Sequence, residues 1–430
     1  MRTTQFVLLV LFSTVLNCNL TIAEESITLK NLTLSEATTF ALQANPDIAV
    51  VMRGREVESA QALQAASRPN PTLSGQVEDF RSQNRIATIA ISQQLETAGK
   101  RDKRMAAADA TLSMADADIR ITHAEISAKT YAAFYQVLAA QQAQALAQEL
   151  LKISTQSKES TAKRVLAGKV SPVEETKAKV AEAGLKIDLA SASQQLVSAK
   201  QRLASLWAKS LEPNNHMDYI AVGELEKLNK IATLDDLMAQ LADSPRLTKA
   251  SLAITQKQAL SAIEQSKQTP DVTISLGARR NEELGGITQA IIGLSIPIPL
   301  FDKNQGNLQS ARAREFQSID EKTALENQLK TELAEAYSRR QLQIEASNLY
   351  QQDILLGAQS AYEAARKGFE FGKFSFLEVL DAQRTLFQAK TQFIQTLVLA
   401  RLAEADIQNI LGTAFKLTTN KLSTNLKETP

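Results

Sequence analysis

One phrase occurs twice in this chain, and its spacing sets the scale of the fold. Gly168-Lys169-Val170-Ser171-Pro172-Val173-Glu174, with Ala178 beyond it, returns as Gly372-Lys373-Phe374-Ser375-Phe376-Leu377-Glu378, with Ala382. The shared pattern is G-K-x-S-x-x-E-x-x-x-A, and the copies lie 204 residues apart. That period exceeds any solenoid unit, so it describes a duplicated half-molecule. A long helical pattern enters each copy and another leaves it.

The two halves read alike. The first repeat covers 24–209. A short helix is expected over 34–44, broken by Asn45-Pro46, and a second over 47–67, stopped before Arg68-Pro69-Asn70-Pro71. Strand-like stretches follow at 72–80 and 86–95. A helical pattern free of Pro and Gly then runs over 102–166, on the order of 100 Å at ~1.5 Å per residue. After the Gly168 turn, Pro172 suits the first turn of a returning helix that extends to about residue 209. A polar, irregular connector, 210–232, contains Pro213, Asn214, Asn215 and Gly223. The second repeat, 233–412, replays the order: helices at 234–242 and 247–267, strands at 271–280 and 287–296, and a long helix over 305–371 weakened near Gly357 and Gly368. The Gly372 turn and a helix to about Leu411 complete it. Residues 413–430 form a polar tail.

Composition supports long helices rather than compact globules. Aromatics are 5%, Trp occurs once, and Ala, Gln, Ser, Leu, Lys and Glu dominate. A net charge of +1 gives no bulk attraction to nucleic acid. Residues 1–23 read as a signal peptide: Arg2 opens it, Phe6 to Leu16 is apolar, and Thr21-Ile22-Ala23 is a small-residue cleavage site. The run is too short to span a bilayer as a helix. Cys18, the sole cysteine, follows Val15-Leu16-Asn17 in a loose lipobox; Asn17 fits that motif poorly, so cleavage near Ala23 is favoured over lipidation. Either route takes the chain out of the cytoplasm without an internal disulfide.

The long helices carry a thin apolar stripe, for example Ile119, Ile126, Phe134, Leu138, Leu146, Leu150 and Ile153, with Ala between. A globular core would show a wider face. A coiled-coil rod and a wall one helix thick both satisfy this periodicity. The strands alternate. Val272, Ile274, Leu276 and Ala278 oppose Thr273, Ser275, Gly277 and Arg279; Ala290, Ile292, Leu294 and Ile296 oppose Gln289, Ile291, Gly293 and Ser295. The first-half pair, about 72–95, alternates more weakly. Such strands suit soluble hairpins that cap helices, or barrel strands with lipid outside and water inside. In a bilayer no edge can stay open, and four strands are fewer than the ~8 of the smallest barrels. Several copies would have to share one barrel, with the helices continuing it as a tube.

The ordered set of phrases resembles the TolC-like outer-membrane efflux family. The matching phrases are Asn45-Pro46-Asp47, Pro69-Asn70-Pro71, Gln94-Leu95-Glu96-Thr97-Ala98-Gly99-Lys100-Arg101, Pro297-Ile298-Pro299-Leu300-Phe301-Asp302 and Glu378-Val379-Leu380-Asp381-Ala382-Gln383. The Ala98-Gly99-Lys100-Arg101 and Pro299-Leu300-Phe301-Asp302 phrases are most similar to the cobalt–zinc–cadmium branch. The resemblance implies a mixed α/β membrane protein in which four transmembrane strands per chain contribute to a trimeric 12-stranded barrel, continued by a long α-helical coiled-coil tunnel. It implies a Gram-negative outer-membrane location with a periplasmic helical portion. It also implies a periplasmic adaptor and an inner-membrane resistance-nodulation-division pump as partners, this chain being the passive duct. A multidrug or type I secretion duct is the alternative within that architecture, and a periplasmic coiled-coil scaffold the alternative outside it.

By motif position the resemblance assigns Glu378 and Asp381, with Glu174 as first-repeat counterpart, to an acidic pore constriction. It assigns the turns at Gly168, Lys169, Gly372 and Lys373 to adaptor contact. A glycine at a helix end also has a purely conformational reason, and carboxylates on helices are most often simply solvated. Where some members latch the closed entrance with Tyr and Arg, this chain has Phe369 and Phe374, so that latch does not transfer. His123 and His216 are the only histidines, and neither is paired; they read as surface residues. No catalytic constellation, cofactor motif or metal cage is expected.

Overall fold

The computed structural model describes residues 31–207, 219–228 and 230–413. The leader with Cys18, part of the connector including His216, and residues 414–430 lie outside the described residues. The duplication is plain in the element order. The first repeat contributes α1 (Leu34–Ala44), α2 (Pro46–Ala65), β2 (Thr72–Glu78), β3 (Ile86–Leu95), α3 (Lys100–Leu166) and α4 (Pro172–Ala204). The second contributes α5 (Leu234–Leu241), α6 (Pro245–Ser266), β5 (Val272–Asn281), β6 (Ile287–Ser295), α7 (Gln305–Leu349), α8 (Leu355–Glu370) and α9 (Phe376–Leu411). Two short strands, β1 (Asn31–Leu32) and β4 (Ile220–Ala221), pair in parallel and tie the start of the described chain to the connector.

Local chemistry explains the joints. Asn45 closes α1 and opens α2: its side chain accepts from the Asp47 N–H, and Pro46 occupies the first helical position, where no N–H is needed. Ser244 and Pro245 do the same for α6. Thr33 with Glu36 and Thr233 with Asp236 form capping boxes for α1 and α5. The 67-residue α3 is unbroken.

Three expectations are corrected. First, α4 ends at Ala204, short of the expected 209. Second, the long helix of the second repeat is interrupted not at Gly357, which lies within α8 facing open space, but by a π-helical turn over Tyr350–Ile354. Third, the described part of the connector is not simply polar: Tyr219, Ala221 and Leu225 are buried against Phe134, Leu138 and Leu203.

The four long strands form one antiparallel sheet in the order β2-β3-β5-β6. Its register puts Ile91 opposite both Leu73 and Leu276, and Leu276 opposite Ile292. One face therefore reads Leu73, Gly75, Val77; Ala87, Ile89, Ile91, Gln93; Ile274, Leu276, Ala278, Arg280; Thr288, Ala290, Ile292, Leu294, apolar in its middle and polar only at Gln93, Arg280 and Thr288. The other is mainly polar, with Ser74, Gln76, Glu78; Thr88, Ser92, Gln94; Thr273, Ser275, Arg279, Asn281; Gln289 and Ser295, and carries Ile86, Ala90, Ile287 and Ile291 among them. The apolar face is solvent-exposed in the single chain, Ile292 at 80%. Edges β2 and β6 are unpaired within it. No helix among the described residues is long and apolar enough to cross a membrane.

Below the sheet, α3 runs along α1, α2, α4, α6 and α9, while α7 packs on α6 and α9. The apolar contacts gather in separate clusters. One holds Tyr131, Phe134, Val137, Leu203 and Leu397. Another holds Leu237, Leu329, Leu333, Ala336 and Ile407. A third, near the hairpin tips, holds Tyr362, Phe369, Phe376, Val379 and Leu386. Each fully buried Leu stabilises its cluster by about 1.5–3 kcal/mol. Beside the first cluster lies a buried ionic knot. Arg401 donates to the Tyr131 hydroxyl at 3.0 Å and to the Lys227 carbonyl at 2.6 Å, and its guanidinium covers the Tyr135 ring at 4.3 Å. Glu404 lies 3.6 Å from Arg401 and 3.8 Å from Arg340.

Candidate functional site: the hairpin tips and the groove above them

Each letter of the repeated phrase has a local job. At the end of α3, Gly168 adopts φ +65°, its N–H reaches the Val165 carbonyl at 2.9 Å, and the Lys169 N–H reaches that of Arg164 at 2.9 Å. At the end of α8, Gly372 adopts φ +72°, with Gly372 N–H to Phe369 at 2.9 Å and Lys373 N–H to Gly368 at 2.8 Å. Both are Schellman closures, which need a left-handed residue where glycine sits. The serine then starts the return helix. Ser375 caps α9, and the Glu378 carboxylate accepts from the Ser375 N–H at 2.6 Å and its hydroxyl at 3.0 Å, a capping box. Ser171 caps α4 through the Val173 N–H, with Pro172 at the first position. Glu174 pairs with Lys177 at 3.3 Å, and its other oxygen is buried without a protein hydrogen bond. The S-x-x-E spacing was the available sequence signal for these caps.

The two tips are fastened together by a residue that sequence reasoning missed. Arg164, in the last turn of α3, donates to the Phe369 carbonyl at 2.7 Å, and its guanidinium lies 4.3 Å over the Phe369 ring. A cation at the carbonyl end of α8 is favoured by the helix dipole. Phe369 is buried and packs at 5.7 Å on Phe376. Phe374 lies against Gly368. Both phenylalanines therefore contact their own protomer. Lys169 and Lys373 are exposed.

Above the tips, α4 and α9 flank α3 and leave an open groove of about 950 Å³. Leu146, Leu150, Val180, Asp188, Asp381 and Phe387 are among the residues that line it. Asp381 is exposed. Glu378 and Asp381 thus lie on one turn of α9, but one oxygen of Glu378 is committed to its cap. Glu182, farther up α4, is buried beside Lys158 at 2.9 Å and Thr155 at 3.1 Å; the Lys158 bond holds its carboxyl below the usual range. His123 is half-buried beside a smaller cavity with Arg120 and Asp243. No group of His, Cys, Asp or Glu among the described residues could hold a metal ion.

The sheet, with one mainly apolar and one mainly polar face, is joined through long helices to paired hairpin tips, an arrangement suited to a membrane channel. The comparisons agree. The profile of the family described as "Outer membrane efflux protein" matches residues 39–209 and 238–413, one block per repeat. The cobalt-zinc-cadmium resistance protein CzcC of Cupriavidus metallidurans is 36% identical over 381 residues, covering 89% of this chain and 90% of that protein. The cation efflux system protein CusC of Escherichia coli K12 is 26% identical, covering 65% of this chain and 62% of that protein. The crystal structure of the outer membrane protein VceC from Vibrio cholerae shares the fold, with TM-score 0.74 and 20% identity over 89% of this chain and 97% of that one. The chain belongs to the outer membrane efflux protein family.

Proposed function

We propose that this protein is the outer-membrane exit duct of a heavy-metal cation efflux assembly. Three copies join β6 of one to β2 of the next, giving a 12-stranded barrel, and their helices continue it as a periplasmic tunnel. The observation that carries this reading is the sheet itself: four strands in register, one apolar face, and two open edges. In lipid such edges must be paired, and four strands alone cannot close. The metal cargo rests on the names of CzcC and CusC. An inner-membrane resistance-nodulation-division pump supplies the energy. A periplasmic adaptor meets the tips at Gly168, Lys169, Gly372 and Lys373.

The lumen narrows near those tips, where Asp381 carries most of the acidic character, with Glu378 and Glu174 beside it. Three copies of a carboxylate around one axis favour cations and disfavour anions. The test is planar-bilayer conductance of the purified oligomer. Asp381→Ala should reduce cation preference strongly, and Glu378→Ala less. An anion-selective or unselective wild-type channel would overturn the cation reading. A chain that stays monomeric and leaves the envelope fraction would overturn the duct.

A further inference from the structure

The two repeats leave the sheet differently. After β3, the crossing to α3 is held by polar bonds: Glu96 pairs with Arg104, the Thr97 N–H and Lys100 reach Asp271 at 2.9 and 2.6 Å, and Arg101 reaches the Ala66 carbonyl at 2.7 Å. After β6, the equivalent crossing is Pro297-Ile298-Pro299-Leu300-Phe301, with no polar side chain. Ile298 is 77% exposed, Leu300 70% and Phe301 93%. Two prolines remove two N–H groups, and the Leu300 N–H is turned inward to the Ile298 carbonyl at 3.0 Å. Polarity then reverses within one residue. The Asn304 N–H bonds Asp302 at 2.8 Å, the Lys303 N–H bonds Gln305 at 2.9 Å, and the Asn304 side chain bonds Glu264 at 2.8 Å.

A row of exposed apolar side chains this dense marks an interaction site. It directly continues the apolar face of β6, through Ile292, Leu294 and Ile296. Its backbone also asks little of water. Trp207 and all six tyrosines lie outside the sheet, so phenylalanine is the only aromatic at its ends. Phe80 stands 88% exposed just beyond β2, at the opposite end of the strands. An aromatic at the end of an apolar band, as Phe301 is here, has the place of the aromatic girdle that flanks a transmembrane sheet.

We propose that Pro297–Phe301 is a lipid-seated ledge. Leu300 and Phe301 enter the boundary between headgroups and acyl chains in the leaflet nearer the helices, and Asp302 marks the start of water. This rests on the barrel reading above. The partner is phospholipid, contacted through apolar side chains without headgroup-specific bonds.

The test uses the full chain, assembled and placed in phosphatidylcholine vesicles. Single-tryptophan reporters are made as Phe301→Trp and Ile292→Trp in a Trp207→Phe background; if that background fails to fold, the emission of wild-type Trp207 is subtracted instead. Brominated lipids carry the quencher high or low on the acyl chain, and iodide is the aqueous quencher. The reporter at 301 should be quenched at least roughly twofold more by high than by low bromine and be shielded from iodide, as an interfacial aromatic is. The reporter at 292 should prefer low bromine. Iodide quenching at 301 without bromine quenching would put the ledge in water. Shielding from both would mean that a neighbouring copy covers it. Either result, with 292 still lipid-quenched, overturns the ledge and leaves the barrel. Loss of bromine quenching at both positions overturns the barrel.

Discussion

Replacing Glu404 by glutamine isolates one charge in the most buried ionic site of the molecule. Its side chain is 7% exposed, and those of Arg401 and Arg340 are 3% and 2%. Both guanidinium groups lie within 4 Å of the same carboxylate oxygen. Burial already pulls the Arg340 guanidinium below its usual range, with Glu404 acting against that pull. Glutamine keeps the shape but leaves two cations facing each other in a dry site. Removing one partner from a buried ion pair costs about 3–5 kcal/mol. An unfolding entropy of about 2 cal/mol/K per residue over 430 residues converts this to a fall in Tm of roughly 3–6 °C. Helical circular dichroism of the detergent-solubilised protein, heated at one fixed rate, reads it directly. Arg401→Met should also destabilise, because the Lys227 and Glu224 carbonyls lose their donor. The double variant should cost at least about 1 kcal/mol less than the two singles added, as expected for groups in contact. Glu335→Gln is the control: Glu335 meets Arg339 at 3.8 Å on the open surface, and its loss should change stability by less than about 0.5 kcal/mol. A Glu404→Gln protein as stable as wild type would refute the argument, since the carboxylate would then not be the counter-charge.

Three further outcomes follow from other sites. Gly372→Ala forces a Cβ into φ +72° and should cost about 1–2 kcal/mol, visible as faster protease cutting at the second tip; an unchanged rate would show that the turn adapts. Arg164→Met should remove about 1–2 kcal/mol of protection from the second turn, the range for a charge-assisted bond that is partly exposed. Hydrogen exchange of the Gly372 and Lys373 amides reads it, and unchanged exchange would mean that the clasp does not hold the tip. At Asp271, burial pushes the carboxyl up, but Lys100, the Thr97 N–H and Gln94 together hold it below its usual range. Its folded pKa is thus depressed. Its contribution is present above the ordinary carboxylate range and is lost as pH falls through the folded value. Asp271→Asn should therefore lower stability at neutral pH and flatten the acid limb of the stability profile; parallel profiles would exclude the site.

Local signals made most of the fold legible, and non-local pairings escaped. Strand β3 is legible because Ile89 and Ile91 alternate with Thr88 and Ser92, and α1 because Ser35 and Glu36 stand near its start and Asn45-Pro46 breaks it. Within each hairpin the apolar face followed from period two. The junction between hairpins, β3 against β5, joins residues such as Ile91 and Leu276, and no local pattern announces that register. The knot at Arg401 was invisible for the same reason: its Tyr131 partner is 270 residues away. The connector reads as irregular because its apolar run, 219–222, is short, and its parallel pairing with β1 and its packing on Phe134 and Leu138 are non-local. The π-turn at Tyr350 has no Gly or Pro to mark it.

The repeated phrase was both the best and the most misleading signal. It located the tips correctly. Yet glycine is there for a left-handed closure, serine for a cap, and Glu378 for the reciprocal bond to Ser375. Folding alone accounts for these letters in the second repeat, so their recurrence says nothing about a pore. Asp381 falls at a variable position of the phrase, makes no capping bond through its carboxylate, and lines the open groove with Asp188. Its first-repeat counterpart by the same offset is Lys177, which lines the same groove and pairs with Glu174. The acid is thus confined to one repeat, where no helix-starting rule demands it. In a threefold assembly this asymmetry would place the Asp381 carboxylate of each chain near the entrance. Cation preference should accordingly follow Asp381 rather than Glu378, and a channel that loses selectivity only with Glu378→Ala would show that the capping bond opens in the assembled duct.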